Sequence, residues 1–475
     1  GYMKIRNIIH FVIGLTLSAI INVVTLPVMA WFYPQETIGK IAMLNVMITF
    51  SATLFSLGLD QAFVRWYHES DNKTEAFYNS FLPGAGALLC ILLCLNIFFP
   101  DVILKIIDED KTAISFMISF LIISGYCNRF LPIIFRMEEK GVLFSLSQLL
   151  PKGIFLILIC ILALSKNNNI ELLILSLLFS FSLVTIISVF FAKDLLFPLG
   201  KIDIKKIHEM LHYSIPLLIG AISYWGLSSV DRLFIVKYST YSELAIFSIA
   251  ISFAGIANVA QSIFSTIWIP TVFKWIHQIK PVEKCYEKID LVKNLISCIS
   301  FFIVSIAGLF GWLLLYLLPY NYANIIYLIP LCMLSILFYA ISETTIVGLS
   351  IIKKTKYLML SSLLSFVINI IANVIVVPFW GAKGAAVSTA ISFFAFLILR
   401  TEFSSYFWIK IKRIKLYTIS MLWLIISILY CFYGDKYIGL FVSIWGGGAI
   451  LIIIFYYKQI KILFDTVLDR ITCKA

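Results

Sequence analysis

Fourteen times along its 475 residues the chain runs for about 20 residues almost without charge, the length an α-helix needs to cross the hydrocarbon of a bilayer. The runs fall at 8–30, 39–60, 80–99, 113–135, 142–164, 170–192, 212–235, 244–267, 295–318, 325–350, 357–378, 383–406, 416–433 and 438–457. With 61% hydrophobic and 13% charged residues, a water-soluble fold could not cover its apolar surface. The expected fold is all-α, a polytopic membrane protein with about 14 transmembrane helices.

Charge orients the spans. With the N-terminus inside, most of the 37 Lys and Arg fall on the inner side, so that face and both termini are expected to be cytoplasmic. Lys353, Lys354 and Lys356 belong there, as does the run Lys410, Lys412, Arg413 and Lys415. The longest connections, 61–79, 193–211 and 268–294, share that face, whereas the longest outer one is 100–112. Neither side has room for a soluble catalytic domain. The net charge of +12 suits anionic lipid headgroups as partners. Nucleic-acid binding would need those cations gathered on a folded soluble domain. Nine cysteines, scattered singly through apolar runs, act as small hydrophobes and indicate neither a disulfide framework nor a zinc ribbon, although Cys90 and Cys94 share a helix face. The first run is full length and another follows at once, so no cleavable leader is expected, and Gly1 and Tyr2 ahead of Met3 look like additions.

Ionisable residues inside such runs are costly and mark either a structural pair or a polar path. Tyr213 to Phe234, YSIPLLIGAISYWGLSSVDRLF, carries Asp231 beside Arg232. Arg129, Lys152 and Glu343 lie well inside other runs. By helical rise, Arg129 stands roughly 9 Å and Lys152 roughly 15 Å from the inner ends of their spans, with Arg232 toward the outer end. Such a series would offer a cation at each depth. Glu343, in SETT, is either a proton-carrying carboxylate or the counter-ion of Arg129 at similar depth. Pro151, Lys152 and Gly153 stand together halfway along the fifth run, where Pro with Gly predicts a helix break that opens backbone beside the lysine; a tolerated kink is the alternative.

The segment 201–212, KIDIKKIHEMLH, spaces Ile202, Ile204, Ile207 and Leu211 near helical period among lysines. It predicts an amphipathic helix on the inner leaflet that leads into the seventh span. His208, Glu209 and His212 within it spell HExxH, the zinc-protease pattern. A third ligand is not apparent, and His10, His68 and His277 sit in unrelated contexts, so a solvated linker helix is expected and no metal. The expected organisation is a six-helix bundle over 1–192, the linker over 193–211, a second six-helix bundle over 212–406, and two extra spans with a cytoplasmic tail over 407–475. Equal halves of six spans have the same orientation, as in parallel repeats. A weak echo links Phe32 to Leu59 with Lys237 to Phe264.

Three motifs carry a resemblance. LPVMAWFYPQETIG, with Pro27, Pro34, Glu36 and Gly39, precedes SLGLDQAFVRW, with Gly58, Ala62 and Arg65. YSIPLLIG, with Ser214 and Pro216, precedes SSVDRLF, with Asp231 and Arg232. NVIVVPFWGAKGAAVSTAIS holds Asn373, Pro378, Gly381, Gly384, Ala385 and Ala386. Together these resemble the polysaccharide transporter family, which includes Wzx-type O-antigen flippases, within the multidrug, oligosaccharidyl-lipid and polysaccharide exporter superfamily. Wzx-like members are most often read with twelve helices, and the two extra spans instead resemble the lipid II flippases. The end of the first half, SKNNNIELLIL, lacks the Gly-Ala-Ala signature of the second.

The resemblance implies two six-helix bundles in an inverted V that move a polyprenyl-pyrophosphate-linked oligosaccharide across the bacterial inner membrane, with a polysaccharide polymerase as a pathway partner. On that basis Lys152, Arg232, Arg129 and Arg65 are candidates for the pyrophosphate or cavity. Asp231, Glu343 and Asp60 are candidates for ion coupling or counter-ions, and Pro151 and Gly153 for the helix break. No phosphate-binding GxxxxGK[ST] loop occurs, so no cofactor is expected, and coupling to H+ or Na+ stands beside passive exchange. Asn22, Asn45, Tyr224 and Trp225 are polar or amphipathic groups of the kind that bind sugar or bridge helices. The rivals are a drug antiporter of the same fold, whose cavity would carry an acidic excess, and a membrane polymerase or ligase, which would need a large outer domain.

Overall fold

The computed structural model describes residues 5–472. The four residues before them and the three after, including the terminal ends assigned above to the cytoplasm, lie outside the described residues. Among the described residues the structure is helical without strands, and fourteen helices are long and apolar enough to span a membrane. They are α1 (Ile5–Phe32), α2 (Gln35–Phe55), α3 (Lys73–Phe98), α4 (Thr112–Met137), α5 (Gly141–Leu164), α6 (Ile170–Phe191), α7 (Ile204–Tyr238), α8 (Tyr241–Gln278), α9 (Val282–Phe310), α10 (Ile329–Ile351), α11 (Lys356–Trp380), α12 (Ala382–Phe407), α13 (Ile414–Tyr433) and α14 (Ile438–Phe455). Each run found in the sequence is one of these. In hydrocarbon every backbone N–H and C=O must find its partner within the segment, and only the helix provides that for a single run.

Polar side chains set several starts. Asn72 accepts from the Glu75 N–H, Asn169 from the Glu171 N–H, and Asp203 from the N–H groups of Lys205 and Lys206, each satisfying a donor the helix leaves free. Ahead of α4, Lys111 pairs with Glu171 at the start of α6. That hydrogen bond and charge raise the lysine above its ordinary range.

The chain forms two compact units, Gly1–Ser248 and Ile249–Ala475. The division falls within α8, so α7 packs with the first unit. There α1 lies along α5, α4 packs on α6 and α2, and α7 packs on α2 and on a short helix, Leu59–Glu69. In the second unit α12 packs on α10 and α11, while α9 packs on α10 and α14. The α4–α6 and α5–α6 pairings thus recur six spans later as α10–α12 and α11–α12. Gly381, at φ 56 and ψ −124, makes the turn from α11 into α12 in a backbone region that side chains disfavour.

The linker differs from expectation. Its helix does not lie apart on the leaflet but forms the first turns of α7, which runs unbroken from Ile204 to Tyr238 through Pro216. Thr74 and Tyr78 of α3 donate to the carbonyls of Leu195 and Leu196, Asn79 accepts from the Asp203 N–H, and Lys206 pairs with Glu75 at 3.2 Å. The segment is therefore tied to α3. Met210 is the fully buried anchor, whereas Ile202 and Ile204 remain exposed.

Candidate functional site

Two glycines place α2 against the flanks of α7. After α2 ends at Phe55 the chain turns through Gly58 at φ 72, and a Cβ there would stand 2.3 Å from the Ser214 carbonyl oxygen. At the other end of α2, a Cβ on Gly39 would stand 1.8 Å from the Tyr241 carbonyl oxygen, just past α7. Both distances are below any real contact, so only glycine permits these approaches. Gln35 adds a hydrogen bond of 3.0 Å to the Ser242 carbonyl. Lys40 joins Glu109 at 2.9 Å and Glu36 at 3.6 Å.

The turn at Gly58 launches the Leu59–Glu69 helix and carries Asp60 into its first turn, where a carboxylate meets the positive end of the helix dipole. Arg129 of α4 approaches it with Nε and Nη2 each 3.1 Å from Asp60 Oδ2, and Nη1 is 3.3 Å from Thr53 Oγ1. Asp60 is 4% exposed and its other oxygen, Oδ1, has no hydrogen-bond partner among the described residues. Asp60 is thus the counter-ion of Arg129.

Glu343, weighed above for that part, is paired elsewhere. Its Oε1 lies 3.2 Å from Arg400 Nη1, which also reaches Ser342 Oγ at 3.1 Å. The guanidinium lies 4.1 Å from the Phe396 ring centroid and 5.1 Å from that of Tyr339, and the Trp268 indole N–H donates to the Glu343 carbonyl. Arg400 was missed in the sequence because it stands near one end of its run, where a long cation can snorkel to headgroups. The available signal was its depth, matching Glu343 on a helix of the same direction.

Asp231 is fully buried, and Arg232 places Nη1 3.7 Å from its Oδ1 while donating to the Ser228 carbonyl at 3.1 Å. This guanidinium is partly tied along its own helix and lies 5.7 Å from the Phe247 ring centroid. Arg65 is exposed, pairs with Glu69 at 3.1 Å, and lies 5.0 Å and 4.7 Å from the ring centroids of Trp66 and Tyr213. Of the four candidate cations, three have carboxylate partners.

Lys152 is the exception. Half-buried at the middle of α5, it has no ion pair or hydrogen bond among the described residues. The expected helix break is not there: α5 runs continuously from Gly141 to Leu164 with Pro151 inside. One proline removes one N–H and leaves the other bonds intact, and α1 and α6 pack along the helix. Gly153 meets Ile21 of α1 at an ordinary distance of 3.9 Å. Asn45, halfway along α2, is exposed and likewise without a side-chain partner among the described residues. One turn on, Thr49 Oγ1 accepts from the Trp225 indole at 3.2 Å, and Phe50 packs on that indole at 4.8 Å. Unpaired ammonium and amide groups at mid-membrane depth need water or a polar ligand, because lipid can satisfy neither.

His208, Glu209 and His212 are all exposed on the first turns of α7. Among the described residues no three His, Cys, Asp or Glu side chains are grouped to hold a metal ion.

A bundle of spans with paired charges and, among the described residues, a mid-span ammonium without a carboxylate partner has the make-up of a membrane transporter. Residues 5–276 match the family described as polysaccharide biosynthesis protein, more than half of the chain, and the chain belongs to that family. Among solved structures, lipid II flippase MurJ in an inward closed conformation is similar at 17% identity and a TM-score of 0.69, over 97% of this chain and 100% of that one. An inward-facing multidrug resistance MATE transporter of the MOP superfamily is similar at 13% identity and a TM-score of 0.61, over 82% of this chain and 94% of that one. An outward-facing one gives 15% identity and a TM-score of 0.55, over 85% and 94%. At these identities the likeness is one of fold, the transporter fold those proteins share. No curated protein sequence matches the chain.

Proposed function

We propose that the protein is a flippase that moves a polyprenyl-pyrophosphate-linked oligosaccharide, of the O-antigen kind, from the inner to the outer leaflet of the bacterial cytoplasmic membrane by alternating access. Lys152 carries the reading. A half-buried ammonium with no carboxylate among the described residues is costly unless an anion visits it, and a pyrophosphate supplies that anion at the junction of lipid and sugar. Membership of a polysaccharide biosynthesis family and a fold shared with a lipid II flippase support the same reading. Arg129, Arg232 and Arg65 offer further cations along the route, and Asp60, Asp231 and Glu343 are the carboxylates available for H+ or Na+ coupling. The paired state of each argues that protonation or cation entry would compete with an arginine.

The shared fold with MATE transporters makes a drug antiporter the second reading. Mass spectrometry of lipid extracted with the purified protein separates the two. A sugar-bearing polyprenyl diphosphate is the expected companion; a cationic drug that stabilises the protein, with no such lipid bound, would overturn the flippase reading.

A further inference from the structure

Beyond the last span the chain is not a plain tail. Tyr457–Thr472 forms a 16-residue helix, about 24 Å long, separated from α14 only by Tyr456. Its Ile460, Leu463, Phe464, Val467 and Leu468 follow the i, i+3, i+4, i+7, i+8 spacing of an apolar stripe, with Ile462 outside it. From Leu463 onward these side chains are exposed, Phe464 to 64%. Asp465 and Asp469 occupy the opposite face. Such a stripe is not a stable surface in water, and its root stands where a membrane-spanning helix ends.

The charge at that root points to the occupant. Lys415 Nζ lies 4.0 Å from the Tyr456 ring centroid and donates to the Phe455 carbonyl. Lys293 and Lys458 are close enough to act on it electrostatically. Lys293 is neutralised by Asp290 at 2.7 Å. Lys415, Lys458 and Lys461 have no carboxylate partner among the described residues. Three uncompensated ammonium groups beside an exposed apolar stripe complement an anionic phospholipid surface, acyl chains taking the stripe and phosphates the lysines.

We propose that Tyr457–Thr472 and the lysines at its root form a docking surface for anionic phospholipid, with the helix lying in the headgroup layer and its stripe turned to the acyl chains. The helix then holds the ends of α9, α13 and α14 at headgroup level. This surface is independent of the transported substrate.

The test uses full-length protein reconstituted into vesicles of phosphatidylglycerol with phosphatidylcholine, or of phosphatidylcholine alone. Single cysteines replacing Phe464, Val467, Asp465 or Asp469, in a background without native cysteines, carry an environment-sensitive fluorophore. Labels at 464 and 467 should be quenched by brominated acyl chains and shielded from aqueous iodide, and labels at 465 and 469 the reverse. Shielding should fall at least about twofold in phosphatidylcholine alone or with Lys458→Gln and Lys461→Gln together. Hydrogen exchange over residues 457–469 of the unsubstituted protein in the same vesicles checks the result without cysteine replacement, and should slow when phosphatidylglycerol is present. Equal iodide access on both faces overturns the proposal. So does iodide shielding without quenching by brominated acyl chains, which would indicate a protein partner or second copy, or exchange that ignores the anionic lipid.

Discussion

Arg400 and Glu343 meet at 3.2 Å in the buried interior of the second unit, 57 residues apart in the chain. Both side chains are 9% exposed, so water does little to screen the pair, and removing one partner leaves a buried charge uncompensated. Arg400→Gln should lower stability by about 3–5 kcal/mol, read as a fall in the detergent-solubilised melting temperature. Glu343→Gln with Arg400→Gln should recover a large part of it. No recovery would mean that the arginine acts through contacts other than the carboxylate.

Lys152 has the opposite character, since no partner is lost when it is removed. Lys152→Ala should leave insertion and yield unchanged while lowering glycan translocation by about tenfold or more, the worth of a charge-assisted hydrogen bond. Lys152→Arg should keep part of the activity, although a guanidinium fork cannot reproduce a compact ammonium. Normal translocation by Lys152→Ala in a liposome or complementation assay would remove the lysine from the pathway.

Arg232 needs a paired experiment because Asp231 beside it is fully buried. Arg232→Gln alone should impair both accumulation and transport. Adding Asp231→Asn should restore accumulation if the pair is structural, and leave transport low if the arginine also binds phosphate. Full recovery of both would confine the arginine to folding.

Gly58→Ala should destabilise the protein by more than the roughly 1–2 kcal/mol of left-handed backbone strain, because the added methyl also meets the Ser214 carbonyl. Gly86→Ala is the control, with nothing within 4 Å of its added Cβ, and should be neutral or mildly stabilising. Equal melting temperatures for the two variants would refute the close approach.

Topology is open to direct labelling. Lys354→Cys and Lys412→Cys, in a background without native thiols, should be blocked by an impermeant reagent only from the cytoplasmic face, and Asn168→Cys only from outside. Reaction of the residue-354 thiol from the periplasm would invert the orientation.

The spans were legible because a long uncharged run in lipid has one way to satisfy its backbone. Charge pairing was not. Depth follows from position along a helix, but a partner depends on rotation about the axis and on which helix lies alongside, neither of which a single sequence states. Arg129 therefore looked matched to Glu343 by depth, while the structure gives it Asp60, 69 residues away. Pro151 misled for a related reason: its chemistry specifies one lost hydrogen bond, and the packing of neighbours decides whether the helix yields. The helix at 457–472 did carry a signal, an apolar stripe at helical period. It was obscured because Lys458, Lys461, Asp465 and Asp469 break the continuous run by which spans are recognised.

The two glycine contacts that bracket α2 have a mechanical meaning. Gly39 lies in the first turns of α2 and Gly58 just past its last, so the pair brackets about 24 Å of helix, from Gly39 to Phe55, with Tyr241 against one end and Ser214 against the other. Gripped this closely at both ends, α2 and α7 form one rigid piece, and neither can tilt without carrying the other.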